Sequence, residues 1–406
     1  ILHVLLVGTT SMPIVLVPGL GSSQIEARVK PGTTPAVQCD HVLWPGHSDH
    51  EWHRLWINFG YFIPGWTECF MHRMNLTFDA KTGEVYSAGN ISTRVVGWGN
   101  TSTINLLDPD LVTPWLREQG AVFNPLSQYF ISALGYIAGA NLAGAPYDWR
   151  FAPSSPSGQD MLDNLKNLVE KLYSQQGGKV MLVSHSMGGN YVLRLLRTVE
   201  QSWKDKFIAG WISVSSVFAG SLATVVGAAA GWNEQILTID NNEFSYVQRN
   251  WESSWWLNPR RNIYGADTLI ATSPGRNFTL ADVRDIFVKR GFADGFDFFT
   301  KRVEYLEDDF SPVGVPMHCF FSTGVPTMSR MDWKNDHLLG HPELVRTSNG
   351  DGSVSDVSLQ MCRKMQPASV HFYHGIEHLA MIHTLEVIKD IASIILTAKT
   401  NQEGAD

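Results

Sequence analysis

Only four of the 406 residues are cysteines, at positions 39, 69, 319 and 362, and no two of them form a C-x-x-C pair. That spacing gives little support to a zinc site, and the even count suits two disulfides. No stretch reaches the roughly 18 consecutive apolar residues of a membrane-spanning helix. The chain is therefore expected to be soluble, or to touch membranes only from the surface. Basic residues are in deficit, 31 against 39 acidic for a net charge of −8, and no Lys/Arg-rich run stands out. A nucleic-acid partner is argued against on both counts. Charged residues make up only 17% of the chain against 44% hydrophobic, which argues against global disorder and allows a sizeable core. No internal repeat is visible.

What the chain has in excess is tryptophan, fourteen in all. Trp44, Trp52, Trp56 and Trp66 fall between Cys39 and Cys69, and Trp232, Trp251, Trp255 and Trp256 share one later segment. An indole joins an apolar body to a polar N–H, so it suits interfaces and lipid headgroup depth as well as cores. Four N-glycosylation sequons begin at Asn75, Asn90, Asn100 and Asn277. With the sparse cysteines they point to the secretory pathway, with a secreted or lysosomal/vacuolar destination. The opening "ILHVLLVGTTSMP" reads as the tail of a signal peptide or as the lead into the first strand.

Alternation of apolar runs with helical periods organises the rest. "PIVLVPGLGSSQ" (13–24) reads as a buried strand ending in a Gly-rich loop. Residues 25–110 look like an irregular surface excursion. Residues 123–136 and 160–178 have helical spacing, the second with apolar Met161, Leu162, Leu165, Leu168, Val169 and Leu172 and a Gly177-Gly178 stop. Strands are expected near 179–184, 207–216, 317–327 and 368–375, and helices over 187–200 and 379–396. The expectation is an α/β fold: a mostly parallel sheet with helices on both faces, core segments 1–216 and 311–406, and an inserted cap over 217–310.

Between the strand at 179–184 and the helix that follows lies Ser184-His185-Ser186-Met187-Gly188. A hydroxyl on a sharp strand-to-helix turn is exposed above the sheet, and the helix N-terminus behind it offers backbone N–H groups and a positive dipole end. Both suit a nucleophile attacking an ester and the oxyanion that results. The stretch fits G-x-S-x-G except that serine replaces the first glycine. Chain order in such folds runs nucleophile, acid, base. Asp351 in "SNGDGSVSD" (348–356) and His378 in "YHGIEHLAM" (373–381) fit as acid and base. Rivals are His374, His371 and His185 for the base, and Asp356 and Asp148 for the acid. A second oxyanion donor is expected after the first strand, at the N–H of Leu20.

These motifs together resemble the lecithin:cholesterol acyltransferase family, nearest its lysosomal phospholipase A/transacylase branch. The resemblance rests on "VPGLGSSQIEA" (17–27), "GAPYDWRFAP" (144–153), "SHSMGG" (184–189), "STGVPT" (322–327), "GDGSV" (350–354) and "GIEHLAM" (375–381). It implies an α/β-hydrolase fold with a lid and a disulfide-closed membrane-binding loop. It implies transfer of a fatty acyl chain from a phospholipid, through an acyl-serine, to water or a lipid alcohol. The family positions fall on Ser186, Asp351 and His378, with oxyanion donors at Leu20 and Met187 and disulfides Cys39–Cys69 and Cys319–Cys362. Ser184 stands where the family has Ala or Gly, Leu20 stands where relatives carry other residues, and residues 217–260, its lid region, depart from the pattern.

A phospholipid membrane or lipoprotein surface and a lipid alcohol acceptor are the implied partners. Trp44, Trp52, Trp56 and Trp66 are the candidate interfacial anchors. His41, His47, Asp49, His50, Glu51 and His53 in the same loop read as a solvated, pH-sensitive face rather than a metal site. The expected chemistry needs no metal or cofactor. Two other readings stay open: a neutral-glyceride lipase of the same fold, and a catalytically silent lipid-binding glycoprotein. In "YDWR", Asp148 and Arg150 are expected to pair beneath the site.

Overall fold

A computed structural model describes residues 11–403 except 36, 38, 40–47, 64, 112, 233–237 and 307–308. The opening segment 1–10, read above as a leader or a strand lead, and Trp44, His41 and His47 lie outside the described residues.

Six strands build the central sheet: β1 (Ile14–Val17), β2 (Leu142–Gly144), β3 (Val180–His185), β4 (Ile208–Val214), β5 (Met317–Thr323) and β6 (Ser369–His374). They lie in the order β6-β5-β4-β3-β1-β2, and every neighbouring pair is parallel. β1 and β3 are buried along their whole length, as expected for strands covered by helices on both faces. The chain leaves β1 toward β2 on one side and β3 on the other. That reversal opens a crevice at the carboxyl ends of β1 and β3.

The helices behave as their periodicity predicts. α1 (Pro156–Gln176) starts at Ser155, whose Oγ accepts the Gly158 N–H at 3.3 Å. It ends at Gly177 in the left-handed region at φ 71°, where a side chain would be strained. The six apolar residues expected on its inner face are all buried. α2 (Met187–Thr198) buries nine of its twelve residues, which fits a helix packed directly behind the site.

The stretch after β1 is more ordered than the sequence suggests. Strands Ile25–Val29, His53–Trp56 and Ile91–Arg94 form a small antiparallel sheet, and helix Thr67–Met74 packs nearby. Strands of four or five residues, with a register irregularity at Ile25/Glu26, leave too little alternation to read. Leu55, Tyr61 and Phe70 are fully buried there. The Cys39–Cys69 disulfide closes this region, with a Cα–Cα separation of 5.9 Å. Closing a 30-residue loop is worth about 3–4 kcal/mol in the chain-entropy picture. Beside it the buried Arg73 guanidinium pairs with Asp49 and donates to the Tyr61 hydroxyl at 3.1 Å, and Asp49 accepts the Cys39 N–H at 2.9 Å. The second disulfide, Cys319–Cys362, ties β5 to the turn Gln360–Met365.

The cap differs from the expected boundaries. α3 (Leu222–Ala230), α4 (Asn241–Gln248) and α5 (Glu252–Trp256) lie in the expected insertion. Its four-stranded sheet, however, is completed from beyond residue 310. Strands Arg276–Thr279 and Leu269–Ser273 continue into Thr327–Asp332 and Glu343–Thr347. The chain thus leaves the core for the cap twice, and returns the second time at the turn that holds Asp351. The closing helix α6 (Leu385–Glu403) packs against the core.

A pH response follows from the far end of the sheet. His318 Nδ1 and His371 Nε2 share the Ser369 hydroxyl at 2.8 and 2.9 Å. Burial, and then the neighbouring His371 charge, push His318 down from 6.5 to about 4. Burial likewise lowers His371, His383, His53 and His72. Unfolded histidines bind protons near 6.5 and these folded ones do not, so stability falls as pH drops from about 6.5 toward 4. Thermal melts are expected to drop by several degrees between pH 7 and pH 5, and His318→Asn is expected to drop less. Equal melts for the wild-type protein at the two pH values would contradict this.

Candidate active site

Ser186 is placed by backbone strain. It stands between β3 and α2 at φ 55°, ψ −129°, a conformation that costs a non-glycine residue of order 1–3 kcal/mol and persists only when packing enforces it. The enforcing contacts are close. A Cβ at Gly188 would lie 2.3 Å from the Val17 carbonyl oxygen, one at Gly189 would lie 1.8 Å from Ser216 Oγ, and one at Gly19 would lie 2.7 Å from Ser186 Cβ. Ser184, the departure from the motif, is fully buried and its Oγ accepts the Trp211 indole N–H at 2.8 Å. A donor from β4 satisfies the extra hydroxyl, so the turn carries serine without an unpaired polar group.

The other expected residues converge. His378 Nδ1 lies 2.7 Å from Asp351 Oδ2, and the His378 amide donates to the Asp351 carbonyl at 2.8 Å. Asp351 is fully buried, and its Oδ1 accepts the amides of Val354 at 2.8 Å and Ser353 at 3.2 Å. The loop before His378 is held by the Ile376 amide on Ser322 Oγ at 3.0 Å. Ser186, His378 and Leu20 line one cavity of about 150 Å³ with Val217, Ser221 and Trp251. Met187 is the first residue of α2, so its N–H is among the donors left unpaired at that helix N-terminus.

Four of the rivals are placed elsewhere, while His185 packs against His378 with ring centroids 4.7 Å apart. His371 stacks on Phe320 at 4.2 Å. His374 ends β6 as an exposed residue. Asp356 begins a short helix. Asp148 pairs with the fully buried Arg150, at 2.9 Å to Nε and 2.6 Å to Nη2. Tyr147 and Trp149 brace the loop after β1: the Tyr147 hydroxyl donates to the Pro18 carbonyl at 2.7 Å and the Trp149 indole to the Ser23 carbonyl at 3.3 Å.

The tryptophans divide. Trp56 points inward. Its indole N–H donates to the Gly21 carbonyl at 2.5 Å, and its ring meets Trp149 edge-on at 5.0 Å. It braces the Leu20 loop, which is a different placement from the expected interfacial anchor; the N–H partner and core packing leave no reason for the ring to face lipid. The Arg28 and Arg94 guanidiniums lie over the Trp52 ring at 4.5 and 4.3 Å from its centroid. Trp66 packs half-buried beside Ile63, which is 46% exposed. Of the sequon asparagines, Asn90, Asn100 and Asn277 are exposed, while Asn75 is half-buried with its Oδ1 accepting from Asn250 Nδ2 at 2.9 Å. Trp56→Phe is expected to cut kcat by about tenfold through loss of the brace on the Leu20 loop, with vesicle binding unchanged. Weakened binding with normal kcat would return Trp56 to the surface role.

With that geometry in view, comparison with known proteins is decisive for kinship. The sequence profile described as "Lecithin:cholesterol acyltransferase" matches residues 51–297. The chain belongs to the lecithin:cholesterol acyltransferase family. Among curated relatives, "Lysosomal phospholipase A and acyltransferase" of Rattus norvegicus is 30% identical over 390 residues, covering 95% of this chain and 90% of that protein. "Phosphatidylcholine-sterol acyltransferase" of Mus musculus is 28% identical over 393 residues, covering 95% and 85%. "Lecithin-cholesterol acyltransferase-like 1" of Arabidopsis thaliana is 29% identical, covering 95% and 90%. Among solved structures, a chain of the Tle4–Tli4 complex superposes with a TM-score of 0.56 over 97% of this chain and 99% of its own, at 14% identity. That last likeness concerns fold alone. This family member has the α/β-hydrolase fold, with the two disulfides its resemblance implied.

Three features of the site were not anticipated from sequence: the inward Trp56, the Trp211–Ser184 bond, and His185, whose Nε2 lies 3.0 Å from the His378 carbonyl. Indoles in an aromatic-rich loop carry no directional signal, and His185 was weighed only as a rival base, not as a donor to the His378 backbone.

Proposed function

We propose that this chain is a serine-dependent phospholipid acyl hydrolase and O-acyltransferase. The observation that carries the reading is one cavity shared by a strained serine and an imidazole bonded to a buried carboxylate. In this reading His378 Nε2 takes the Ser186 proton as Oγ attacks the ester carbonyl of a glycerophospholipid. Asp351 holds the Nδ1–H tautomer and stabilises the imidazolium. The carbonyl oxygen becomes an oxyanion facing the N–H groups of Leu20 and Met187. Collapse expels the lysophospholipid alkoxide, which receives the proton from His378, and leaves acyl-Ser186. Water or a lipid alcohol then gives its proton to His378 and attacks the acyl carbon, releasing fatty acid or a new ester and restoring the serine.

A cavity of about 150 Å³ is below the roughly 300–1,000 Å³ of ordinary ligand clefts. It admits the ester and the first methylenes; the rest of the chain enters when α3 to α5 shift. Ile63 and Trp66, with the Trp44 segment of the same disulfide-closed loop, are the proposed contact with the lipid surface. Two disulfides and four sequons favour a secretory-pathway enzyme, secreted or lysosomal. Among the described residues no helix is long and apolar enough to cross a membrane.

The test uses phosphatidylcholine vesicles with distinguishable acyl chains, alone and with sterol or a ceramide-like alcohol. Free fatty acid or a new lipid ester, absent with Ser186→Ala, supports the reading and names the acceptor. No product despite vesicle binding overturns it in favour of a neutral-glyceride esterase or a lipid-binding protein.

A further inference from the structure

His185 is buried between the nucleophile's strand and the base. Its ring is 2% exposed and its centroid lies 4.7 Å from that of His378, the two rings at 47°. Nε2 is 3.0 Å from the His378 carbonyl oxygen. A carbonyl oxygen only accepts, so Nε2 carries the proton. Nδ1 is buried with no hydrogen-bond partner among the described residues, and the ring's other aromatic neighbour is Phe123, edge-on at 6.5 Å. A second proton on Nδ1 would therefore be received by nothing. Burial, and then the facing His378 and the nearby His383, hold the ring well below the usual histidine range. The ring is a fixed neutral donor.

Packing alone does not call for it. An apolar side chain would fill the space without burying an unpaired nitrogen. What the donor does is visible in how His378 is held. Its amide and its ring Nδ1 both bond to Asp351. Both of those bonds go to one residue, and among the described residues the turn Leu379–Ile382 that follows is anchored by buried Met381 and Ile382 rather than by any bond to the nucleophile's strand. The Ser322 hydroxyl holds the preceding loop from β5. Among the described residues, the hydrogen bond between His378 and β3 is the one from His185, one residue before Ser186.

We propose that His185 is a positioning residue of the triad: its Nε2–H fixes the His378 backbone carbonyl and so references the base to the same strand end that carries the nucleophile. The proposal rests on the acyl-transfer reading above. A displaced imidazole would still bind Asp351 but would meet Ser186 Oγ out of line, and a displacement near 1 Å costs about 10²-fold in rate.

The test compares His185→Leu, which removes the donor, with His185→Gln, whose amide nitrogen can stand in for Nε2. The Leu variant is expected to lose roughly 30- to 100-fold in kcat with KM within about twofold, and the Gln variant to stay within about threefold of wild type. A residue needed only for packing would show no such difference between two variants of equal melting temperature. Histidine-selective ¹⁵N labelling gives a readout that needs no substrate. His185 is expected to show a proton on Nε2 and none on Nδ1 down to pH 5. The low-field proton shared by His378 and Asp351 is expected to broaden in the Leu variant and persist in the Gln variant. A Leu variant within threefold of wild-type kcat, or a wild-type proton on His185 Nδ1, overturns the proposal. Should the Leu variant fail to fold, His185→Met takes its place with the same criteria. A wild-type protein that shows the expected tautomer but yields no phospholipid product would sink the acyl-transfer reading while leaving the hydrogen bond established.

Discussion

Alanine at position 186 is expected to lower kcat for acyl release by roughly 10⁶-fold while vesicle binding is unchanged. The loss is large because, in the proposed mechanism, Oγ is the atom that becomes covalently linked to the acyl group, and His378, Leu20 and Met187 cannot replace it. Residual turnover, about 10³ to 10⁴ over water, would come from binding and the oxyanion donors. A companion variant tests the strain that places the hydroxyl. Ser186 has φ 55°, which alanine tolerates no better than serine and glycine adopts freely. Ser186→Gly is therefore expected to be as inactive as Ser186→Ala but more stable than it by about 1 kcal/mol, read as a higher denaturation midpoint. Equal midpoints would mean that the turn stores no strain. Turnover within tenfold of wild type in either variant would remove Ser186 from the chemistry.

Asp351→Asn is expected to cost about 10⁴-fold in kcat with little change in KM. The direction in which the new amide sits is dictated by its surroundings. Oδ1 accepts the Val354 and Ser353 amides, so the amide oxygen belongs there and its NH₂ must face His378 Nδ1. A donor facing Nδ1 moves the imidazole proton to Nε2, where it blocks uptake of the serine proton. The ¹⁵N signature of His378 should switch tautomer with the loss of rate. An Asn variant within tenfold of wild type, with His378 still protonated on Nδ1, would disqualify Asp351 as the orienting acid.

Much of this was legible in the residues. The helix at 156–176 announces itself by six apolar positions on one face and a glycine stop, and the sheet by apolar runs too short for helices. The triad candidates could be found because such folds keep chain order and because Asp351 and His378 sit in Gly-bounded loops after late strands. What stayed hidden depends on direction rather than composition. Trp56 and Trp66 are alike in sequence context, yet one bonds to Gly21 and the other stands beside an exposed isoleucine. The strands at 327–347 pair across more than fifty residues with those at 269–279, and no local period encodes so distant a partner. Ser184 looked like a weakened motif because its partner, Trp211, lies on the neighbouring strand.

The way the cap sheet is assembled governs how relatives can be recombined. Its two outer-sequence strands, Thr327–Asp332 and Glu343–Thr347, lie after β5, and the turn that follows them bonds to both layers: Gly352 to Thr327 Oγ1 at 2.8 Å, the Ser353 carbonyl to Ser221 Oγ at 2.5 Å, and Ser355 Oγ to the Tyr264 hydroxyl at 2.7 Å. A chimera that imports a foreign lid by splicing at 217 and 310 would receive half a sheet and graft it onto the other half's unmatched edge. It would also strip Asp351's turn of two hydroxyl contacts. A lid exchange in this chain is expected to succeed only if residues 327–355 travel with the lid, so under the proposed mechanism the triad's acid moves with the cap sheet rather than with the nucleophile.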